Sequence, residues 1–138
     1  MSKLKRLQDV REVLIGTGLA VLTCVMLVLL PVEWARAVIA HLLTLIAATY
    51  VGFALASNGH LSLARQIAGC SVFVACALLG SLVNWWFLAV GLALHGGWDY
   101  WHHGEGGGGV IPHWYVPFCA VYDWMVGLFV AVHYASVN

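Results

Sequence analysis

Long apolar runs constrain this chain more than any other feature of its sequence. Four of them, at residues 13–30, 35–56, 67–94 and 114–135, hold few ionisable side chains, and about 20 such residues cross a bilayer as a helix. Hydrophobic residues make up 62% of the sequence and its mean hydropathy is +0.90, which exceeds the usual composition of a soluble domain. We therefore predict an all-α integral membrane four-helix bundle that forms a single domain over residues 1–138.

Basic residues fix the predicted orientation of these spans. We expect the spans at about residues 13–31, 35–57, 67–95 and 116–136, with the third continuing as helix to about residue 103. Four spans place both termini on one side of the membrane, and five of the six Lys and Arg residues then lie on that side. The positive-inside rule accordingly predicts an N-in, C-in topology. In the alternative, residues 1–37 are a cleaved signal peptide, but the apolar segment exceeds the usual ~7–15 residues.

A cluster of histidine and aspartate residues follows the third run. Residues 95–123 hold four of the seven histidines in a chain with only 9% charged residues. On a helix, His95, Asp99 and His102 are spaced by four and three positions and share one face, with His103 at its edge. Imidazole and carboxylate groups on one face are typical metal ligands, although the same residue types also decorate membrane interfaces.

Two further ionisable residues lie within apolar runs. Asp123 and His41 each follow the expected outer end of a span by six residues, which places both at a depth of about 9 Å. An ionisable side chain inside a span marks a candidate functional site, so both join the predicted ligands. The alternatives are an Asp123 that caps the outer loop and a His41 that bonds a neighbouring helix as neutral imidazole. His60 and His133 fall at the opposite, cytoplasmic end and are excluded.

Two glycines beside the histidine and aspartate cluster raise the question of whether the helix continues through it. Gly96 and Gly97 together disfavour a helix by about 2 kcal/mol, whereas the bilayer favours unbroken backbone pairing. The sequence alone does not decide whether the helix breaks there. The glycine-rich residues 104–109 lack a phosphate-binding pattern, and we predict that they form a flexible connector.

A family resemblance rests on the segment L-H-G-G-W-D-Y-W-H-H at residues 94–103, together with the later prolines and the aspartate of the last span. These features resemble a family of short four-span bacterial membrane proteins, domain-of-unknown-function family 6010. The resemblance covers mainly residues 84–130, and it implies the fold but no activity. The matched positions are His95, Trp98, Asp99, His102, His103 and Asp123. The chain departs from the family in its glycine connector and in His113.

The predicted function is that of a membrane metalloprotein. More loosely, H-x3-D-x2-H-H is similar to the histidine boxes of membrane desaturases, hydroxylases and carotene-cleaving dioxygenases. The predicted metal ligands are His95, Asp99, His102, His103, Asp123 and His41, with Asp99 and Asp123 also catalytic. Nitrogen and oxygen donors without thiolate favour iron, with zinc second. We interpret the chain as a non-haem iron oxidoreductase that acts on a lipid, isoprenoid or carotenoid.

Two other functions use the same residues. A zinc-dependent membrane hydrolase would have the same ligands, whereas a non-catalytic accessory subunit of a larger membrane complex would use the polar cluster to bind a pigment or a partner. The large apolar perimeter is also compatible with a homo-oligomer. The formal net charge of zero provides no field that attracts nucleic acid. We expect the protein in the bacterial inner (cytoplasmic) membrane, with the site on the non-cytoplasmic side.

Overall fold

The computed structural model describes residues 3–105 and 110–136, with side chains described for residues 10–102 and 110–136. All regular structure in this part of the chain is helical, which confirms the predicted all-α class. The helices are α1 (Lys3–Leu29), α2 (Val32–Ala56), α3 (Leu63–Leu82), α4 (Trp86–Glu105) and α5 (Tyr115–Val130), which continues through a π-helical turn at Ala131–Ala135. Four of them, α1, α2, α3 and α5, are long and apolar enough to cross a membrane.

The exterior of the bundle is as apolar as its core. Fully buried core side chains include Leu27, Ile39, Leu43, Leu88 and Val126, whereas Leu14, Leu22, Leu45, Leu55 and Leu82 are exposed. A soluble protein would leave such a surface in contact with water, but acyl chains accept it without a free-energy penalty. The outward leucines therefore indicate a membrane protein.

Short polar residues and a proline set the ends of the first helices. Pro31 precedes α2, and its carbonyl oxygen accepts a hydrogen bond from the Ala35 N–H at 3.0 Å. Asn58 and Gly59 have positive φ angles of 50° and 89° and reverse the chain between α2 and α3. Ser62 then caps α3, as its hydroxyl oxygen accepts from the backbone N–H of Arg65 at 3.4 Å.

The third apolar run forms two helices rather than the single long one that we expected. The break lies at residues 83–85, between α3 and α4. Asn84 explains it, because its side-chain oxygen accepts from the Trp86 N–H at 2.9 Å and its carbonyl oxygen accepts from the Phe87 N–H at 3.2 Å. A short polar side chain that satisfies the first amides of a new helix ends the preceding one.

Helices α3 and α4 fold back on each other as an antiparallel hairpin. Residues early in α3 meet residues late in α4, in the pairs Gln66 with His102, Phe73 with His95, and Gly80 with Leu88. The two backbones approach closely, since a Cβ atom on Gly80 would lie 3.1 Å from the backbone nitrogen of Leu88. Small residues permit such an approach between membrane helices.

The five described helices alternate in direction along the chain. Helices α1 and α5 are parallel, because Thr23 contacts Tyr122 at 3.0 Å between hydroxyl oxygens, and further along both helices Tyr134 donates to the Leu27 carbonyl oxygen at 2.9 Å. The start of α1 and the end of α5 consequently lie at opposite ends of the bundle. We had expected both termini on one side of the membrane, whereas in the bundle they lie at opposite ends because α3 and α4 are separate antiparallel helices.

The two ends of the bundle differ in charge. Helices α1 and α3 begin at one of them, which we call the basic end because it carries Lys3, Lys5, Arg6, Arg11 and Arg65. The opposite end carries Arg36 near the start of α2. The break at residues 83–85 also lies at the opposite end.

Helix α4 is continuous through Gly96 and Gly97, so the glycine pair does not break it.

Alanine at position 97 is expected to raise the free energy of unfolding by up to about 1 kcal/mol, because its Cβ enters open space. Alanine at position 96 is expected to lower it, since its Cβ would lie 2.6 Å from Trp124 Nε1, which donates to the Ala93 carbonyl oxygen at 3.2 Å. Thermal unfolding of both variants in one detergent tests this contrast, and equal shifts would contradict it.

Candidate metal centre

Three ionisable side chains meet in the core of the bundle, two from α4 and one from α5. His95 Nδ1 lies 2.7 Å from Asp123 Oδ2 and 3.5 Å from Asp99 Oδ2. All three side chains are completely buried, with 0% of their surface exposed. The antiparallel helices approach closely enough because Gly127 faces α4, where an added Cβ would lie 3.2 Å from the Ala89 carbonyl oxygen.

The three residues form a compact set of candidate donors. One ligand atom from each of His95, Asp99 and Asp123 lies within 4.8 Å of the other two. His95 Nδ1–H donates to the Asp123 carboxylate, yet Asp99 Oδ2, Asp123 Oδ1 and His95 Nε2 are buried without a hydrogen-bond partner among the described residues. Buried carboxylate oxygens without donors are costly, so this group is suited to a cation.

Tyr50 of α2 holds one of the carboxylates in place. Its hydroxyl group donates to Asp99 Oδ1 at 2.6 Å, and its side chain is 1% exposed. The Tyr50 ring also meets the His95 ring edge-on at 6.0 Å between centroids, and Phe73 of α3 does the same at 4.8 Å. These aromatic walls exclude water and fix the orientation of the imidazole, so electrostatic interactions within the group are strong.

His102 lies one turn beyond Asp99 but does not join the group. Its Nδ1–H donates to the Trp98 carbonyl oxygen at 2.9 Å, and its Nε2 accepts from the Gln66 amide nitrogen at 3.1 Å. Both ring nitrogens are therefore engaged, although the ring is only 2% exposed. His102 supports the wall of the site instead of converging with the three donors.

Two other predicted ligands, His41 and His103, are not among the three converging donors. His41 is exposed on α2 and its Nδ1 bonds the Ala37 carbonyl oxygen at 2.6 Å. It is nine residues from Tyr50, or about 14 Å along the helix axis, so the structure does not bring it to the site. His103 belongs to α4, but its side chain lies outside the described residues.

The site lies nearer to the basic end than to the opposite end. Asp99 is six residues from the end of α4 at Glu105, about 9 Å, and thirteen from its start at Trp86, about 20 Å. The bond between His102 and Gln66 ties the site to the first turn of α3, beside Arg65. We had expected the histidine and aspartate cluster at one end of the bundle and the turn between α2 and α3 at the other. They lie at the same end because α3 and α4 form a hairpin.

Tyr50 and Gln66 are the site residues that sequence reasoning missed. Tyr50 lies within the second apolar run and Gln66 just before the third, so both passed as ordinary parts of a span. A polar side-chain group inside a bilayer requires a partner, and this requirement is the signal that would have found them. Gln66 is 1% exposed, and its Oε1 has no hydrogen-bond partner in the described part of the chain.

Replacing Tyr50 with phenylalanine is expected to lower the free energy of unfolding by about 1–3 kcal/mol, because Asp99 Oδ1 then loses its buried donor. Tyr100→Phe is the matched control, since Tyr100 is 69% exposed on the same helix as Asp99. Denaturant unfolding in detergent measures both changes. Equal stability of the two variants would show that the Tyr50 hydroxyl is dispensable.

The fold and the buried group define a helical membrane protein whose bundle encloses a histidine and two aspartates. Residues 11–136 match the model of a family of unknown function, DUF6010, and the chain belongs to that family. The resemblance drawn from residues 84–130 is thus confirmed and extends over nearly the whole chain. None of the curated proteins or solved structures compared with the chain matches it.

Proposed function

We propose that this protein is an intramembrane metalloprotein in which His95, Asp99 and Asp123 bind a divalent transition metal ion. The observation that carries the proposal is the convergence of the three donors within 4.8 Å at complete burial, where one oxygen of each carboxylate accepts no hydrogen bond from the described residues. One imidazole and two carboxylates are sufficient to anchor such an ion when further positions are filled by water or substrate.

Charge supports a metal ion over a purely structural ion pair. Two carboxylates carry two negative charges, and a protonated His95 would neutralise only one of them. A divalent ion neutralises both and takes the place of the proton on Nδ1, as metal binding generally does at a histidine. Tyr50 would then act on the metal indirectly, by fixing the orientation of Asp99.

Iron is the metal that we favour, and zinc is second. The donors are nitrogen and oxygen, and such a set suits non-haem Fe(II) as well as Zn(II). Bound iron would supply oxygen-activating chemistry, from which we infer oxidation of a lipid, isoprenoid or carotenoid. The apolar perimeter of the bundle supports a membrane-dissolved substrate. The oxidoreductase activity and the catalytic roles of Asp99 and Asp123 stay predictions.

The site is proposed to lie in the cytoplasmic half of the bilayer. Five of the six Lys and Arg residues belong to the basic end, and only Arg36 belongs to the opposite end. The positive-inside rule therefore assigns the basic end to the cytoplasm, and the site lies nearer to that end. This proposal replaces the non-cytoplasmic location that followed from four spans. The bacterial inner membrane and a homo-oligomer or larger complex stay predictions.

Elemental analysis tests the metal proposal. The wild-type protein, purified through a peptide tag that binds no metal, is expected to carry about one iron or zinc ion per chain. Asp123→Asn removes a ligand charge and is expected to reduce the metal content at least about tenfold. His41→Ala is the matched control, because His41 is exposed and remote from the three donors, and it should retain the wild-type metal content.

Three outcomes would change the assignment. A wild-type protein that binds neither iron nor zinc after loading would refute the metal site. Zinc together with hydrolysis that does not require O₂ would select the hydrolase. A metal-free protein that purifies with a fixed partner, and keeps that partner in Asp99→Ala, would select the accessory subunit.

A further inference from the structure

Three cavities follow one another along the outer groove between α2 and α3, away from the metal site. The first cavity lies at the end of the bundle opposite the basic end. His41 and Ser81 line both the first cavity and the second. The second and the third in turn share Val74 and Leu78. Shared lining residues make the three cavities one continuous groove on the surface of the bundle.

The groove is polar at one end. Its first cavity, about 570 Å³ in volume, is lined by Glu33, Arg36, His41, Ser81 and Trp85 together with two apolar residues. Glu33 and Arg36 are one helical turn apart, yet no ion pair joins them among the described residues. Arg36 Nε is buried without a hydrogen-bond partner in the described part of the chain. One positive and one negative side chain therefore both line the first cavity without pairing with each other.

The guanidinium group of Arg36 is held in position before any ligand binds. It lies over the Trp85 ring at 4.8 Å from the ring centroid, and Trp85 is itself stacked on Tyr134 at 4.2 Å. Trp85 is only 3% exposed, so this support is rigid. A preorganised charge binds an oppositely charged group without first losing side-chain entropy.

The rest of the groove is apolar and long. The third cavity is lined mainly by apolar residues such as Val51, Ile67 and Leu78. From Ser81 to Ile67 the groove follows α3 for 14 residues, or about 21 Å. One leaflet of hydrocarbon is about 15 Å thick, so the groove can hold an acyl chain over the full depth of its leaflet.

We propose that this groove binds one phospholipid with a zwitterionic headgroup. Arg36 binds the phosphate, Glu33 binds the cationic amine of the headgroup, and an acyl chain lies along α3 between Ser81 and Ile67. An anionic phospholipid would leave Glu33 facing a like or uncompensated charge, so the pair of opposite charges selects the dipolar headgroup. This inference is independent of the metal proposal, because the donors face the inside of the bundle.

Native mass spectrometry of the full chain released from nanodiscs tests the proposal. With equal amounts of zwitterionic and anionic phospholipid, the wild-type protein is expected to retain one zwitterionic lipid. Arg36→Ala is expected to lower its occupancy at least about fivefold, since the phosphate loses its charged partner. Arg65→Ala is the matched control, because the Arg65 guanidinium also lies over a tryptophan, Trp101, at 5.4 Å, but outside the groove.

Two further variants keep the test decisive if Arg36→Ala does not fold. Glu33→Gln is expected to shift retention toward the anionic phospholipid. Ala75→Trp fills the third cavity and should lower lipid occupancy, whereas Val72→Trp, at an exposed position that does not line the groove, should not. Retention of anionic lipid by the wild type, displacement by inorganic phosphate, or unchanged occupancy in Glu33→Gln and Ala75→Trp would each overturn the proposal.

Discussion

Replacement of His95 with leucine is expected to lower the free energy of unfolding by about 3–5 kcal/mol, and to abolish metal binding. The reason is that Asp99 and Asp123 would remain as two buried carboxylates without the histidine that faces both at 3.5 Å and 2.7 Å. Denaturant unfolding in detergent, with a chelator present, separates this loss from the contribution of bound metal. His41→Leu, at an exposed position, is expected to change the free energy of unfolding by less than about 0.5 kcal/mol.

Removal of His95, Asp99, Asp123 and the Tyr50 hydroxyl group together should instead raise the free energy of unfolding. With leucine at positions 95, 99 and 123 and phenylalanine at position 50, the metal-free protein is expected to be more stable than the metal-free wild type by about 1–4 kcal/mol. Apolar packing would then replace buried charges whose mutual attraction does not fully offset the cost of removing them from water. Lower stability of this fourfold variant would contradict a functional origin of the group and would make it a structural element of the bundle.

Reporters fused after Asn138 are expected to show that the C-terminus lies outside the cytoplasm. The five helices alternate in direction, and with the basic end in the cytoplasm, as proposed above, the end of α5 lies on the other side of the membrane. Alkaline phosphatase at that position should be active, because its disulfides form only in an oxidising compartment. A green fluorescent protein fusion at the same position should be dark, because that reporter fluoresces only when it folds in the cytoplasm.

The turn between α2 and α3 supplies the internal control for these reporters. A fusion after Gly59 should give a fluorescent protein and inactive phosphatase, since the turn belongs to the basic end. A fluorescent fusion after Asn138 as well would mean that both termini lie in the cytoplasm. The antiparallel α3–α4 hairpin would then be incompatible with the topology of the protein in the membrane.

The all-α class and the grouping of His95, Asp99 and Asp123 were predictable, because few polar side chains lie within an apolar run without a function. Asp123 was such a residue, and the structure places it 2.7 Å from His95. We grouped Asp123 with His95 and Asp99 because polar residues are scarce within the spans and because its estimated depth of about 9 Å matches the end of the third run. Periodicity alone was sufficient to place His95 and Asp99 on one face of α4.

The hairpin was not predictable from hydropathy. The run from residue 67 to residue 94 holds no charged residue, and a hydropathy average does not reveal a turn whose only polar residue is Asn84. An unrecognised turn changes the number of antiparallel helices, and that number determines the end of the bundle at which every later residue lies. This is why His41 was assigned to the site and why the site was assigned to the wrong end of the bundle relative to α1.

The α3–α4 hairpin also determines how the chain enters the bilayer. Helix α4 carries Asp99 together with His95 and His102, and an aspartate costs up to about 2.5–3.5 kcal/mol, the value at the helix centre, for insertion of an isolated helix. Helix α3 has no Asp or Glu, and Asn84 connects it to α4 through a turn of three residues. We therefore expect the two helices to enter the lipid as a pair, in which the apolar α3 offsets the cost of inserting the polar α4.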